Sequence, residues 1–150
     1  MALAGLLAFL GLRAKPLPPP TVADLKFPVI VIHDGARFFI HRNADELHRL
    51  NVGMAMAYEH WPTLIDSDLR IYSMEKLRST KGGLWLMANP TGVTPTSFEL
   101  TRQPESGPDR ARRLIINCKH LGGDDEQKRK AIATQTSLAG MIEVLSTHTD

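Results

Sequence analysis

The residues of this 150-residue chain whose types and spacing could do chemistry fall into three groups: histidines, a pair of carboxylates, and a serine with a lysine. The stretch VIVIHDGARFFIH, Val29 to His41, ends each of two apolar runs in a histidine. Asp-Gly between them favours a two-residue type I′ turn, because both central positions need positive φ. That turn predicts cross-strand pairs of His33 with Ala36, Ile32 with Arg37, Val31 with Phe38, Val29 with Ile40 and Pro28 with His41. The two histidines then face opposite sides and lie on the order of 15 Å apart. Zinc–histidine bonds are about 2.0–2.1 Å long, so no single ion spans them. A three-residue turn would bring both to one face but leave the gap too wide. Asp34 adjoins His33, yet neighbours on a strand point apart, so no dyad is expected. His60 follows His48 by twelve residues, about 120° around an ideal helix, and no HExxH spacing occurs.

Asp66-Ser67-Asp68 matches the carboxylate pair that holds a hard cation in some sugar- and phosphoryl-transfer enzymes. Asp-Ser-Asp is equally good turn chemistry. Ser73 and Lys76 have the SxxK spacing in which lysine activates serine, but the supporting SDN and KTG motifs are missing. Neither a phosphate-cradling GxxxxGK[ST] loop nor a dinucleotide GxGxxG occurs, so no cofactor is expected and no catalytic or metal-binding residue is assigned. Cys118 is the single cysteine, which excludes an internal disulfide and favours a reducing compartment. It reads as a small buried hydrophobe.

Charge argues against nucleic acid as a partner. The net charge is +2, and the excess lies in residues 1–40, with four basic and two acidic side chains; residues 41–104 and 105–150 each hold seven of either sign. The basic runs Arg110 to Arg113 and Lys128 to Lys130 have acidic neighbours in Asp109 and in Asp124, Asp125 and Glu126, which suits solvated helix faces.

The elements that must position these residues follow from periodicity. Residues 2–12 form an apolar run too short to span a bilayer, with Leu3, Leu6, Leu7 and Leu10 on one helical face. Pro16 to Pro20 reads as an extended spacer. After the hairpin, Asn43 and Glu46 make a capping-box spacing for a helix to about His60, with Leu47, Leu50, Met54, Ala57 and Tyr58 along one face. Extended runs follow around Asp66 to Asp68, at Leu84 to Met87 and at Ser97 to Arg102. Ser106, Pro108 and Asp109 open a helix carrying Leu114, Ile115, Cys118 and Leu121, stopped by Gly122-Gly123, although Ile115-Ile116 also suits a strand. Asp124 caps a last helix to about Ser146 with Leu138, Ile142 and Leu145 on its apolar face.

The expectation is an α+β fold: a mainly antiparallel sheet of four to five strands, one helix after the first hairpin and a C-terminal helical pair. Residues 1–21 form an apolar helix and proline-rich spacer, and residues 22–150 a single domain. The expected function is a non-catalytic protein-binding module, an inhibitor or immunity-type partner of a toxin or effector, in the cytoplasm. Leu3, Leu6, Leu7, Leu10, Tyr58, Trp61 and Trp85 are its expected contact residues, since apolar stripes and aromatic anchors dominate interfaces. Residues 2–12 would also suit a peripheral membrane contact. The rival readings are a small metal-dependent hydrolase or transferase using Asp66, Asp68 and a histidine, and a nucleic-acid-binding protein using the two basic runs.

Overall fold

A computed structural model describes residues 17–51, 61–89, 92–122 and 125–147. The expected helix at Leu3 to Leu10 and the anchor Tyr58 lie outside these residues. The fold is α+β, with six antiparallel strands among the described residues where four or five were expected. They are β1 (Val29–His33), β2 (Arg37–His41), β3 (Arg49–Asn51), β4 (Thr63–Ile65), β5 (Ile71–Ser79) and β6 (Val93–Arg102), in the sheet order β2-β1-β4-β5-β6-β3. Among the described residues a 3-10 turn (Val22–Asp24) and five α-helices accompany them: α1 (Ala44–Leu47), α2 (Gly83–Ala88), α3 (Pro108–Ile116), α4 (Asp125–Ile132) and α5 (Leu138–Ser146).

Strand alternation divides the core into two layers. Ile30, Ile32, Ile65 and Ile71 point to one face and pack with Ala111, Ile115, Cys118, Leu121, Ile132, Leu138, Met141 and Leu145 from the C-terminal helices and their connections. Val29, Val31, Leu64 and Tyr72 point to the other, where Leu25, Leu47, Leu50, Met74, Leu77 and Leu100 close a second cluster. β1 is therefore buried on both faces, whereas β2, at the sheet edge, is only partly covered. A bulge between Glu75 and Arg78 keeps β5 in phase with this division. Lys76 takes φ 53° there, and the extra residue turns Leu77 to the face already occupied by Tyr72 and Met74.

Several expectations are corrected. Asp34 and Gly35 do adopt positive φ, 50° and 62°, but the strands pair His33 with Arg37 and Val29 with His41. Ala36 belongs to the turn, and every pair moves by one residue. The helix after the hairpin starts as expected, with Glu46 N donating to Asn43 Oδ1 at 2.9 Å. It ends at Leu47, and Arg49–Asn51 joins β6 through Arg49 with Pro95 and Asn51 with Val93. Leu50 therefore reaches the core from a strand, not from a helix. Leu84 to Met87 lies in α2 and not in a strand. α3 starts after Gly107, whose φ is 104°, and ends at Ile116. The last predicted helix is two, because Ser137 caps a new one by accepting from Gly140 N.

Candidate binding surface

The tip of the β5–β6 hairpin is built from its base outward. Thr80 N donates to Pro95 O at 2.9 Å, Ser79 and Thr94 share a hydroxyl hydrogen bond, and Lys81 N donates back to Ser79 Oγ at 3.0 Å. Thr96 N is held by His48 O at 2.8 Å, which ties the β6 side of the base to the connection between α1 and β3. From this base the chain leaves the sheet at Gly82 and closes the short helix α2, where Leu86 N donates to Gly82 O at 3.2 Å. Asn89 ends it: both its backbone N and its side-chain Nδ2 donate to Trp85 O, at 3.1 and 2.9 Å. Leu, Trp and Met in a short apolar run suit either regular structure, and the run's position beyond the paired strands leaves the helix as the way to satisfy its backbone.

The tip presents apolar side chains to water. Leu84 is 87% exposed and Met87 75%, and Val93 at the start of β6 is 57% exposed, while Trp85 and Leu86 are half-buried. Leu84 and Met87 are three residues apart, so they share a helix face. Residues 76–98 contain Lys76, Arg78 and Lys81 but no Asp or Glu. Lys76 Nζ is 2.9 Å from Glu99 Oε2. No carboxylate among the described residues forms an ion pair with Arg78 or Lys81, both exposed.

Of the contact residues expected from the sequence, the structure describes Trp61 and Trp85. Trp61 is 47% exposed just before β4. Pro62 O accepts from Met74 N at 2.9 Å, which sets Trp61 near the level of Glu75, about four residues of strand, or roughly 13 Å, from the start of the tip. Trp61 is therefore set back from the tip that carries Trp85. Leu84 and Met87 were not singled out in the sequence because their run resembles a strand; the signal available was an acid-free stretch behind Gly82-Gly83.

The residues that suggested chemistry are occupied structurally. Asp66 is fully buried, and its carboxylate accepts from the backbone N of Asp68 and of Arg70, each at 3.0 Å, and from Lys26 N at 3.3 Å. Arg70 adds Nε at 2.9 Å and Nη2 at 2.7 Å. The carboxylate thus fixes the turn from β4 to β5, in which Leu69 takes φ 61°. Asp68 points outward. Ser73 sits in the β4–β5–β6 ladder, and Lys76 is turned to Glu99.

His33 and His41 share one face, as the shifted register requires, but four residues of strand separate them, roughly 13 Å. His33 meets Phe39 edge to face with ring centres 5.3 Å apart. Burial, with a smaller contribution from His41, lowers its pKa to about 4 against the opposing pull of Asp34. Burial also lowers that of His41, opposed by Glu46. His48 stacks on Phe98 at 5.1 Å, beside an open groove of about 660 Å³ lined also by Pro19, Pro20 and Leu100. His60 is outside the described residues. Among the described residues no group of three or more His, Cys, Asp or Glu side chains could hold a metal ion.

Part of each basic run is engaged within the fold, while Arg113 and Lys130 stay exposed. Lys128 is buried, with Nζ donating to Leu121 O at 3.4 Å and Leu145 O at 3.3 Å. Arg129 donates to Ile116 O and Cys118 O at 3.0 and 2.9 Å. Arg112 is paired with Asp109 and Gln135 O, and Arg113 with Glu105. Comparison with protein-family models, curated proteins and solved structures finds no match for the chain. Among the described residues no helix is long and apolar enough to cross a membrane.

Proposed function

We propose that this chain is a non-catalytic binding module that docks through the tip of the β5–β6 hairpin. The observation that carries the reading is the exposure of Leu84 and Met87 on a short helix that follows a hydrogen-bonded hairpin base. Exposed apolar side chains grouped in one patch mark interaction sites more often than singly scattered ones do. The rival chemistries lose their parts: Asp66 spends its oxygens on Arg70 and three backbone amides, and Arg112, Arg113, Lys128 and Arg129 are engaged within the fold. An inhibitor or immunity-type role would use the same tip against a protein.

A photo-crosslinking amino acid at position 84, compared with one at the exposed Glu143 on α5, tests the reading in cells that make the protein. Adducts formed from position 84, absent from position 143 and lost in a Met87→Asp background, are expected. Equal yields from both positions, or adducts indifferent to Met87→Asp, overturn it.

A further inference from the structure

We infer that the surface on which this tip docks is an anionic lipid bilayer, entered by Leu84 and Met87 with Trp85 at the interface and Arg78 and Lys81 against the headgroups. The inference rests on the docking reading above and names its partner. Three features of the tip carry it.

The first is size. α2 has six residues, Gly83–Ala88, about 9 Å of helix. A helix recognised in a protein groove is read through anchors at i, i+3, i+4 and i+7, a span that α2 does not reach. Its exposed pair, Leu84 and Met87, forms a small wedge, and a bilayer accepts a wedge without requiring a matching socket.

The second is charge. Residues 76–98 hold three cations and no carboxylate, and Lys76 is balanced by Glu99. Arg78, near the end of β5, and Lys81, between β5 and α2, are exposed and precede the apolar residues along the chain. Exposed apolar side chains with two exposed cations at the base of the same tip complement a bilayer whose core is apolar and whose surface carries anionic headgroups. A protein partner would have to supply both an apolar socket and an acidic rim.

The third is the aromatic residue. Trp85 lies half-buried on α2 between the exposed Leu84 and the half-buried Leu86. Tryptophan concentrates at membrane–water interfaces, where its ring meets both apolar chains and polar headgroups.

The test uses the whole 150-residue chain and vesicles of phosphatidylcholine, with or without phosphatidylserine. The chain has two tryptophans, so Trp61→Phe leaves Trp85 as the single tryptophan, read with excitation that tyrosine does not absorb. Co-sedimentation with the phosphatidylserine vesicles, a blue shift of Trp85 emission, and weakening of both by salt are expected. Leu84→Asp with Met87→Asp should lower partitioning at least about tenfold, since each places a carboxylate where the bilayer is apolar and anionic. Lys81→Ala should lower it about fivefold, on phosphatidylserine vesicles alone. An unchanged thermal unfolding midpoint identifies the loss as one of surface; a variant that unfolds early is replaced by Leu84→Ser with Met87→Ser, for which the same loss is expected. No association with either vesicle, or association that survives the double substitution, overturns the inference. Equal binding to both vesicle types overturns its electrostatic half. Protein adducts, or self-association lost in the double variant, without vesicle binding overturn the lipid partner and leave the docking reading standing. Vesicle binding and adducts both indifferent to the tip substitutions overturn the two together.

Discussion

The buried carboxylate of Asp66 meets the guanidinium of Arg70 through two nitrogens, Nε at 2.9 Å and Nη2 at 2.7 Å, while also accepting from the Arg70 backbone N at 3.0 Å. Arg70 Nη2 reaches on to Asp24 O at 2.7 Å, so the pair ties the N-terminal 3-10 turn, Val22–Asp24, to the β4–β5 connection. Removing the acceptor leaves a cation and three amides short of a partner. Asp66→Ala is expected to cost about 3 kcal/mol in urea unfolding, and Asp66→Asn, which keeps one carbonyl acceptor, about 1–2 kcal/mol. If Asp66 acted as a metal ligand, divalent cations would raise the unfolding midpoint of the native chain and not of Asp66→Asn; no such difference is expected.

Acid should weaken the fold through His33. Its pKa falls from the ordinary 6.5 to about 4 in the folded chain, so between these values the unfolded chain binds the proton and the folded chain does not. Stability is complete above pH 6.5, declines as pH drops toward 4, and levels off below that. Roughly 3 kcal/mol is the upper bound for this contribution. His41, also lowered by burial, acts in the same direction. Urea midpoints measured across this range should fall with acid in the native chain and more gently in His33→Gln; parallel slopes would refute the assignment.

The basic run on α4 should divide by position. Lys128→Ala and Arg129→Ala each leave buried or half-buried carbonyls without a charged donor, at Leu121 and Leu145 for the first and at Ile116 and Cys118 for the second. Each should cost about 1.5–3 kcal/mol. Lys130→Ala, on an exposed side chain, should stay within about 0.5 kcal/mol. Equal effects of all three on thermal unfolding would contradict the hydrogen bonding described.

Cys118 should be chemically silent while the chain is folded. It is fully buried, its Sγ donates to Leu114 O at 3.5 Å, and burial pushes its pKa up to about 11 against the nearby Arg129. The thiolate is the reactive form, so a thiol reagent near neutral pH should label it at the rate of unfolding and immediately in urea. Rapid labelling of folded protein would show the site to be open.

These same residues mark how far the sequence could be read. The α+β class, the β1–β2 hairpin, the positive φ at its Asp-Gly turn and the Asn43 cap follow from local chemistry, and local chemistry is written in the sequence. What depended on continuation was misread. Leu47 and Leu50 fit a helical stripe as well as they fit α1 followed by β3, because two apolar positions cannot separate a period of 3.6 from a change of element. The turn length hid in Ala36, which carries no turn signal of its own. The break between α4 and α5 was written at Ser137, a good cap, but the apolar face read there, Leu138, Ile142 and Leu145, lies wholly after it and does not mark where the preceding helix stops. At the tip, Trp85 was visible as an aromatic anchor, whereas Leu84 and Met87 became distinctive only once the sheet left them outside.

The C-terminal layer consists of helices of nine, eight and nine residues, each shorter than the about 12–15 residues an isolated helix needs to persist in water. α4 supplies cations to carbonyls at the ends of both neighbours, through Arg129 to Ile116 O and Lys128 to Leu145 O, and Arg112 of α3 reaches Gln135 O in the link to α5. None of the three can fray far without stranding a donor in another. Their amides should therefore exchange with deuterium at a common rate, as one cooperative unit laid over the isoleucine face of the sheet.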